Sequence, residues 1–286
     1  MAYPQCLITE LAKYGAKPTG DLEWDKAMLA TLRKRESDGN EPWLAVNRVA
    51  EMVCNDARRA QVVSNNLADE DIYSVHAKLL MHIANNLVLA PQRRKYVVDE
   101  HNAKVIRFLL YYFNGCPLAE EVFPDAGFKL HKNIMLQGPT GTGKTTLMQI
   151  FSEYLRRTNN PRYFYNVSVT MMVNYFSIHN NIDRFTYNEY EGKGFQIKPY
   201  HLCLNDIGVE NRPFYGIDTK TIVSDFLHAR NEIWANGEFD RRYAHLTTNL
   251  TTEQLMKEFS EKDAFGRLVD RFKTYNVIPL LGESRR

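Results

Sequence analysis

The sequence predicts an α/β fold over its C-terminal two thirds, preceded by a small, mostly helical N-terminal third. Three observations carry this prediction: a glycine-rich octapeptide set between a short apolar run and a helical pattern, later short apolar runs that alternate with helical stretches, and one apolar run that ends in an acid. With 286 residues, 44% hydrophobic and 24% charged, the chain has enough apolar surface for one or two domains, and overall disorder is not indicated.

The octapeptide is Gly138-Pro139-Thr140-Gly141-Thr142-Gly143-Lys144-Thr145, with the spacing G-x-x-x-x-G-K-[ST]. Glycines let successive backbone N–H groups turn toward one anion where a β-carbon would crowd it. Lys144 then reaches the β- and γ-phosphates of a nucleotide, the Thr145 hydroxyl serves Mg²⁺, and Thr146 continues the cradle. Upstream, residues 133–137 read as a buried strand. Downstream, Leu147, Met148, Phe151 and Leu155 fall at helical spacing. Strand, loop and helix N-terminus together make an anion site, since the helix end adds partial positive charge.

Bulk charge excludes little. The formal net charge is +2, with 15 Lys/Arg against 17 Asp/Glu over residues 1–125 and 21 against 17 over residues 126–286, so the basic excess travels with the phosphate loop. Cys6, Cys54, Cys116 and Cys203 are scattered without a C-x-x-C pair, which argues against zinc and a disulfide framework. The longest apolar run, 105–113, is too short for a bilayer, and the first residues lack a leader pattern; no membrane association and a cytoplasmic location are expected.

Residues 1–95 carry no chemical motif. Leu44, Val46, Val49, Met52 and Val53 form an amphipathic stripe after a polar loop at 36–42, and 72–89 is a second helical stretch. The basic run Gln92-Arg93-Arg94-Lys95 reads as solvated surface at a helix end, and His76 and His82 lack the partners of a metal site. A helix over 96–114 leads into the phosphate-loop strand, which puts a domain boundary between 95 and 125, with 1–95 a helical partner-binding domain and 96–286 the nucleotide-binding domain.

A strand at 163–167 and a helix at 170–177 follow. The stretch 180–200 then interleaves Arg184, Lys193 and Lys198 with Phe185, Tyr187, Tyr190, Phe195 and Tyr200, either a single-strand-binding surface or a loop whose aromatics cover the core. Residues 201–206 are an apolar strand ending in Asn205-Asp206. Two registers are open: Asp206 serves the metal with Glu210 as a distant base, or Asn205 takes the metal position and Asp206 the base position. Alternation of Leu202 and Leu204 favours the second, and with it slow hydrolysis. A strand at 243–247 places Asn249 near the γ-phosphate, the capping of the next helix falling to Thr251 and Gln254. Arg267 and Arg271, four apart on one helical face before a last strand at 276–281, can both point at a phosphate.

Together these residues resemble the initiator-type AAA+ ATPases, and among them the DnaC-type helicase loaders and IstB-like transposition ATPases, over about residues 96–286. Gly138 to Thr145 is similar to their Walker A motif, residues 202–208 to the Walker B strand, Asn249 to sensor 1, and Asp270-Arg271-Phe272 to the arginine-finger box, with Arg271 ahead of Arg267. Gly282-Glu283-Ser284-Arg285-Arg286 is similar to their G-x-S-x-R ending. The resemblance implies a three-layer AAA+ P-loop sandwich around a parallel sheet without a C-terminal helical lid, ATP and Mg²⁺ as cofactors, a homo-oligomer in the ATP state around single-stranded DNA, and loading of a replicative helicase held by the N-terminal domain. Delivery of a transposase to DNA is the alternative. A nucleotide-gated scaffold with little hydrolysis is the reading from outside the enzyme class, and Asn205, where the family has Asp, is the feature that favours it.

Overall fold

The computed structural model describes residues 4–37, 66–187, 199–208, 219–236, 242–260 and 270–284. The chain divides into two compact units, Met1–Val63 and Ser64–Arg286. In the first, helices α1 (Gln5–Lys13) and α2 (Leu22–Ser37) close on Leu7, Leu11, Met28, Leu29 and Leu32. The carboxylate of Asp25, fully buried, is satisfied by the Thr19 N–H at 3.0 Å and its hydroxyl at 2.9 Å, which pins the turn between the helices. The amphipathic stripe at 44–53 lies outside the described residues.

The second unit begins earlier than the boundary expected at 95–125. Helix α3 (Glu70–Ile83) packs Leu80 and Ile83 into the same core as Phe151 and Tyr154, and His76 Nδ1 bonds the Tyr154 hydroxyl, so apolar burial ties this segment to the phosphate-loop helix. The helix ends in a π-turn at Ala84–Val88. Helix α4 (Ala103–Phe113) starts later than expected because Asn102 is drawn into other bonds: its side chain accepts from Asp99 N–H at 2.9 Å and donates to Val97 O at 2.9 Å, holding 96–102 out of the helix.

After a short helix α5 (Ala119–Val122), five strands among the described residues form one parallel sheet: β1 (Asn133–Gln137), β2 (Tyr165–Ser168), β3 (Leu202–Ile207), β4 (Ala244–Thr248) and β5 (Tyr275–Pro279), in the order β2-β3-β4-β1-β5. Helix α6 (Lys144–Arg157) joins β1 to β2, α7 (Val169–His179) follows β2, α8 (Thr219–Ala235) precedes β4, and α9 (Thr252–Ser260) follows it. Strand alternation assigns the faces. Ile134, Leu136 and Ile278 meet α3, α4 and α6, while Met135, Leu204 and Leu246 meet α7, α8 and α9. All five β4 residues are buried, as a central parallel strand covered on both faces requires. The three-layer α/β sandwich expected for an AAA+ P-loop fold is the architecture observed.

Candidate nucleotide site

The phosphate loop leaves the carboxyl end of β1 and returns as α6, so its cradle opens at the C-terminal edge of the sheet, where open α/β sheets bind ligands. Gly138 N–H donates to Thr248 O at 3.2 Å, and a β-carbon at Gly138 would collide with the Leu280 carbonyl. Gly141 has φ +90°, and a β-carbon there would strike Ser284. Thr142 is buried, its hydroxyl donating to Pro139 O at 3.0 Å, and Gly143 precedes the first helical residue. Lys144 donates to Gly138 O at 2.7 Å and Pro139 O at 2.8 Å, which keeps its ammonium across the mouth of the loop.

Thr140, Gly141, Gly143, Lys144, Thr145 and Thr146 line a cleft of about 680 Å³, together with Asp206 and Asn249. The Thr145 hydroxyl is 3.4 Å from both oxygens of Asp206. Asn249 reaches the cleft because Gln137 Nε2 donates to Leu250 O at 2.7 Å, tying the turn after β4 to the end of β1. The capping of α9 falls, as expected, to the reciprocal bonds of Thr251 and Gln254.

Residues set aside in the sequence also line this cleft: Leu89, Gln92, Arg94, Lys95, Tyr96 and Val97. Gln92 to Lys95 are exposed, as expected of solvated surface at a helix end, and three of the four border the cleft. Tyr96 N–H donates to Asn85 Oδ1 at 2.7 Å, and the π-turn at the end of α3 presents that amide. The cations Arg94 and Lys95 were the available signal, but only the packing of α3 on α6 brings them to the loop.

The two registers of Asn205-Asp206 separate. Strand pairing runs from Leu204↔Leu246 to Ile207↔Thr248, so Asn205 and Asp206 together oppose the single residue Thr247. This bulge overturns the alternation argument: Asn205 is 3% exposed and turned into the sheet, whereas Asp206, at φ +64°, swings out to Thr145. Asn205 does not reach the cleft. Glu210 lies outside the described residues, as do Arg267, Lys193 and Lys198. Of the aromatics between 180 and 200, Phe185 is core, Tyr187 donates to Glu232 at 2.7 Å, and Tyr200 is exposed against Tyr165.

Arg271 is not brought to the cleft of its own chain. It sits four residues before Tyr275, which pairs with Asn133 at the start of β1, while the phosphate loop leaves the other end of that strand, about 13 Å further along its five residues. Its Nη1 is buried with no hydrogen-bond partner among the described residues, and burial lowers the guanidinium pKa.

A loop whose Gly138 and Gly141 leave no room for a β-carbon, a lysine over it, and a hydroxyl–carboxylate oxygen pair beside it fit a nucleoside triphosphate with Mg²⁺. Thr145 and Asp206 offer the hard oxygen donors that ion takes, and Mg²⁺, when bound, neutralises phosphate charge. Fold and site together give a phosphate-loop cleft at the carboxyl edge of a parallel sheet. No family model and no curated protein matches the chain. Among solved structures it is similar to the crystal structure of the DnaI, with 19% identity, 67% of this chain and 87% of that chain covered and a TM-score of 0.38. It is also similar to AMPPCP-bound DnaA from Aquifex aeolicus, with 19% identity, 65% of this chain and 48% of that chain covered and a TM-score of 0.36.

Proposed function

We propose that the protein is an ATP- and Mg²⁺-binding AAA+ ATPase of the initiator and helicase-loader kind, which assembles as a homo-oligomer on single-stranded DNA and loads a replicative helicase. The observation that carries the reading is the convergence of Lys144, Thr145, Asp206 and Asn249 on one cleft at the carboxyl edge of a five-stranded parallel sheet. In this reading Lys144 holds the β- and γ-phosphates, Thr145 and Asp206 hold Mg²⁺, and Asn249 orients the attacking water or the γ-phosphate. Arg271, remote from its own cleft, serves a neighbour's, with Arg267 the second candidate. The N-terminal unit holds the protein partner, and Lys193 and Lys198 contact DNA.

A second reading, a nucleotide-gated scaffold with slow turnover, is favoured by one observation: Asp206 is the one carboxylate lining the cleft among the described residues, which leaves no described base once it serves the metal. The experiment combines titration of a fluorescent ATP analogue with Mg²⁺, phosphate release with and without single-stranded DNA, and pull-down of helicase against transposase. Nucleotide-dependent helicase capture with DNA-stimulated release supports the loader. Capture without release supports the scaffold, capture of transposase supports the IstB-like alternative, and failure to bind nucleotide sinks all three.

A further inference from the structure

The bulge in β3 makes two neighbours depend on one hydroxyl. Asp206 N–H donates to Thr247 Oγ1 at 2.9 Å instead of to a carbonyl of β4. Thr247 is fully buried, and its single hydroxyl proton goes to Asn205 Oδ1 at 3.3 Å, which leaves a lone pair aimed at Asp206. The Asn205 Nδ2 group faces Asn166 Oδ1 at 3.2 Å and the carbonyls of Val167 and Cys203, both at 3.5 Å. Residue 205 therefore accepts on one side and donates on the other, as an amide does. A carboxylate there would bring no proton to those oxygens and would bury a charge.

We infer that Asn205 and Thr247 are positioning residues for Asp206: the Asn205 amide orients the Thr247 hydroxyl, which holds the Asp206 backbone in the left-handed conformation that turns its carboxylate to Thr145. Asn205 is then a structural requirement of the bulge and not a weakened metal ligand. The inference rests on the proposed Mg²⁺ role of Asp206.

Thr247→Val keeps the shape and deletes the hydroxyl. The Mg²⁺ concentration for half-maximal binding of a fluorescent non-hydrolysable ATP analogue should rise about tenfold, as for loss of a group that orients a metal ligand, with affinity in EDTA unchanged and Thr247→Ser restoring the wild-type response. A wild-type Mg²⁺ response in Thr247→Val, while Asp206→Ala shifts it, overturns the inference and spares the proposed function. If Asp206→Ala also leaves the response unmoved, the assigned role of Asp206 falls and the inference falls with it. Should Thr247→Val fail to fold by circular dichroism, Asn205→Asp decides: weaker Mg²⁺ coupling supports the positioning role, and equal or tighter coupling overturns it.

Discussion

The Thr145 hydroxyl stands 3.4 Å from each carboxylate oxygen of Asp206, across the gap between the first turn of α6 and the bulged end of β3. Residues 61 apart in sequence thereby become one oxygen-rich corner beside Lys144. Around that corner, loop and lysine each make a separate contribution that a single substitution can isolate.

Lys144 supplies the cation at the loop mouth. Lys144→Ala is expected to weaken nucleotide binding by about 10- to 100-fold, the range for losing a charge-assisted hydrogen bond, while thermal melting stays close to wild type. Fluorescence titration beside a melting curve checks both parts.

At Gly141 the backbone is left-handed and Ser284 occupies the space a β-carbon would take. Gly141→Ala should therefore lower the melting temperature, by the equivalent of about 1–2 kcal/mol, and reduce nucleotide affinity as well, whereas Lys144→Ala reduces affinity alone. Ser284→Gly in the same background relieves the contact but not the strained φ, so recovery should be partial. Full recovery would mean the backbone conformation is not required.

Arg271 lies at the sheet end opposite its own cleft, so Arg271→Ala should leave nucleotide affinity of the monomer intact and lower phosphate release only under conditions of assembly. Mixing Arg271→Ala with Lys144→Ala protein tests this directly. Each variant should release less phosphate alone than the wild type, and mixed oligomers should regain part of the activity by pairing an intact cleft with an intact arginine. No recovery at any ratio would refute the assignment.

His201 and His245 predict acid sensitivity. His201 Nδ1 accepts the Tyr243 N–H at 2.9 Å and His245 Nδ1 accepts the Ile134 N–H at 3.1 Å, bonds that only the neutral rings can make. Burial, then the charges of Arg242, Arg230 and Arg162, depresses His201 to about 3; burial, then His201, Arg162 and Arg230, depresses His245. Both folded pKa values lie below the usual value near 6.5, so the unfolded chain binds more protons between them. Stability is fully present above about pH 6.5 and declines as pH falls toward 3. Melting temperatures from pH 8 to pH 5 should fall, and His201→Asn, whose amide oxygen accepts the same bond, should flatten the slope.

Much of this was legible in the chain itself. Gly138 to Thr145 declared its chemistry because every requirement of a phosphate cradle is local: backbone freedom, a lysine at fixed reach and a helix start are all set by neighbouring residues. The strands and the helices α6 and α7 followed from apolar spacing for the same reason, whereas α8 was not read from it. Three matters were decided only by tertiary structure. The bulge opposite Thr247 chose Asp206 over Asn205, since a single extra residue reverses which side chain faces the cleft. Packing of α3 on α6 brought Leu89, Gln92 and Arg94 to Val97 to the lining of the same cleft, some fifty positions upstream of the loop. Parallel register put Arg271 at the far edge of the sheet. Local chemistry is written in adjacent residues, whereas the facing of a side chain and the meeting of distant segments depend on pairing and burial that only the folded chain supplies.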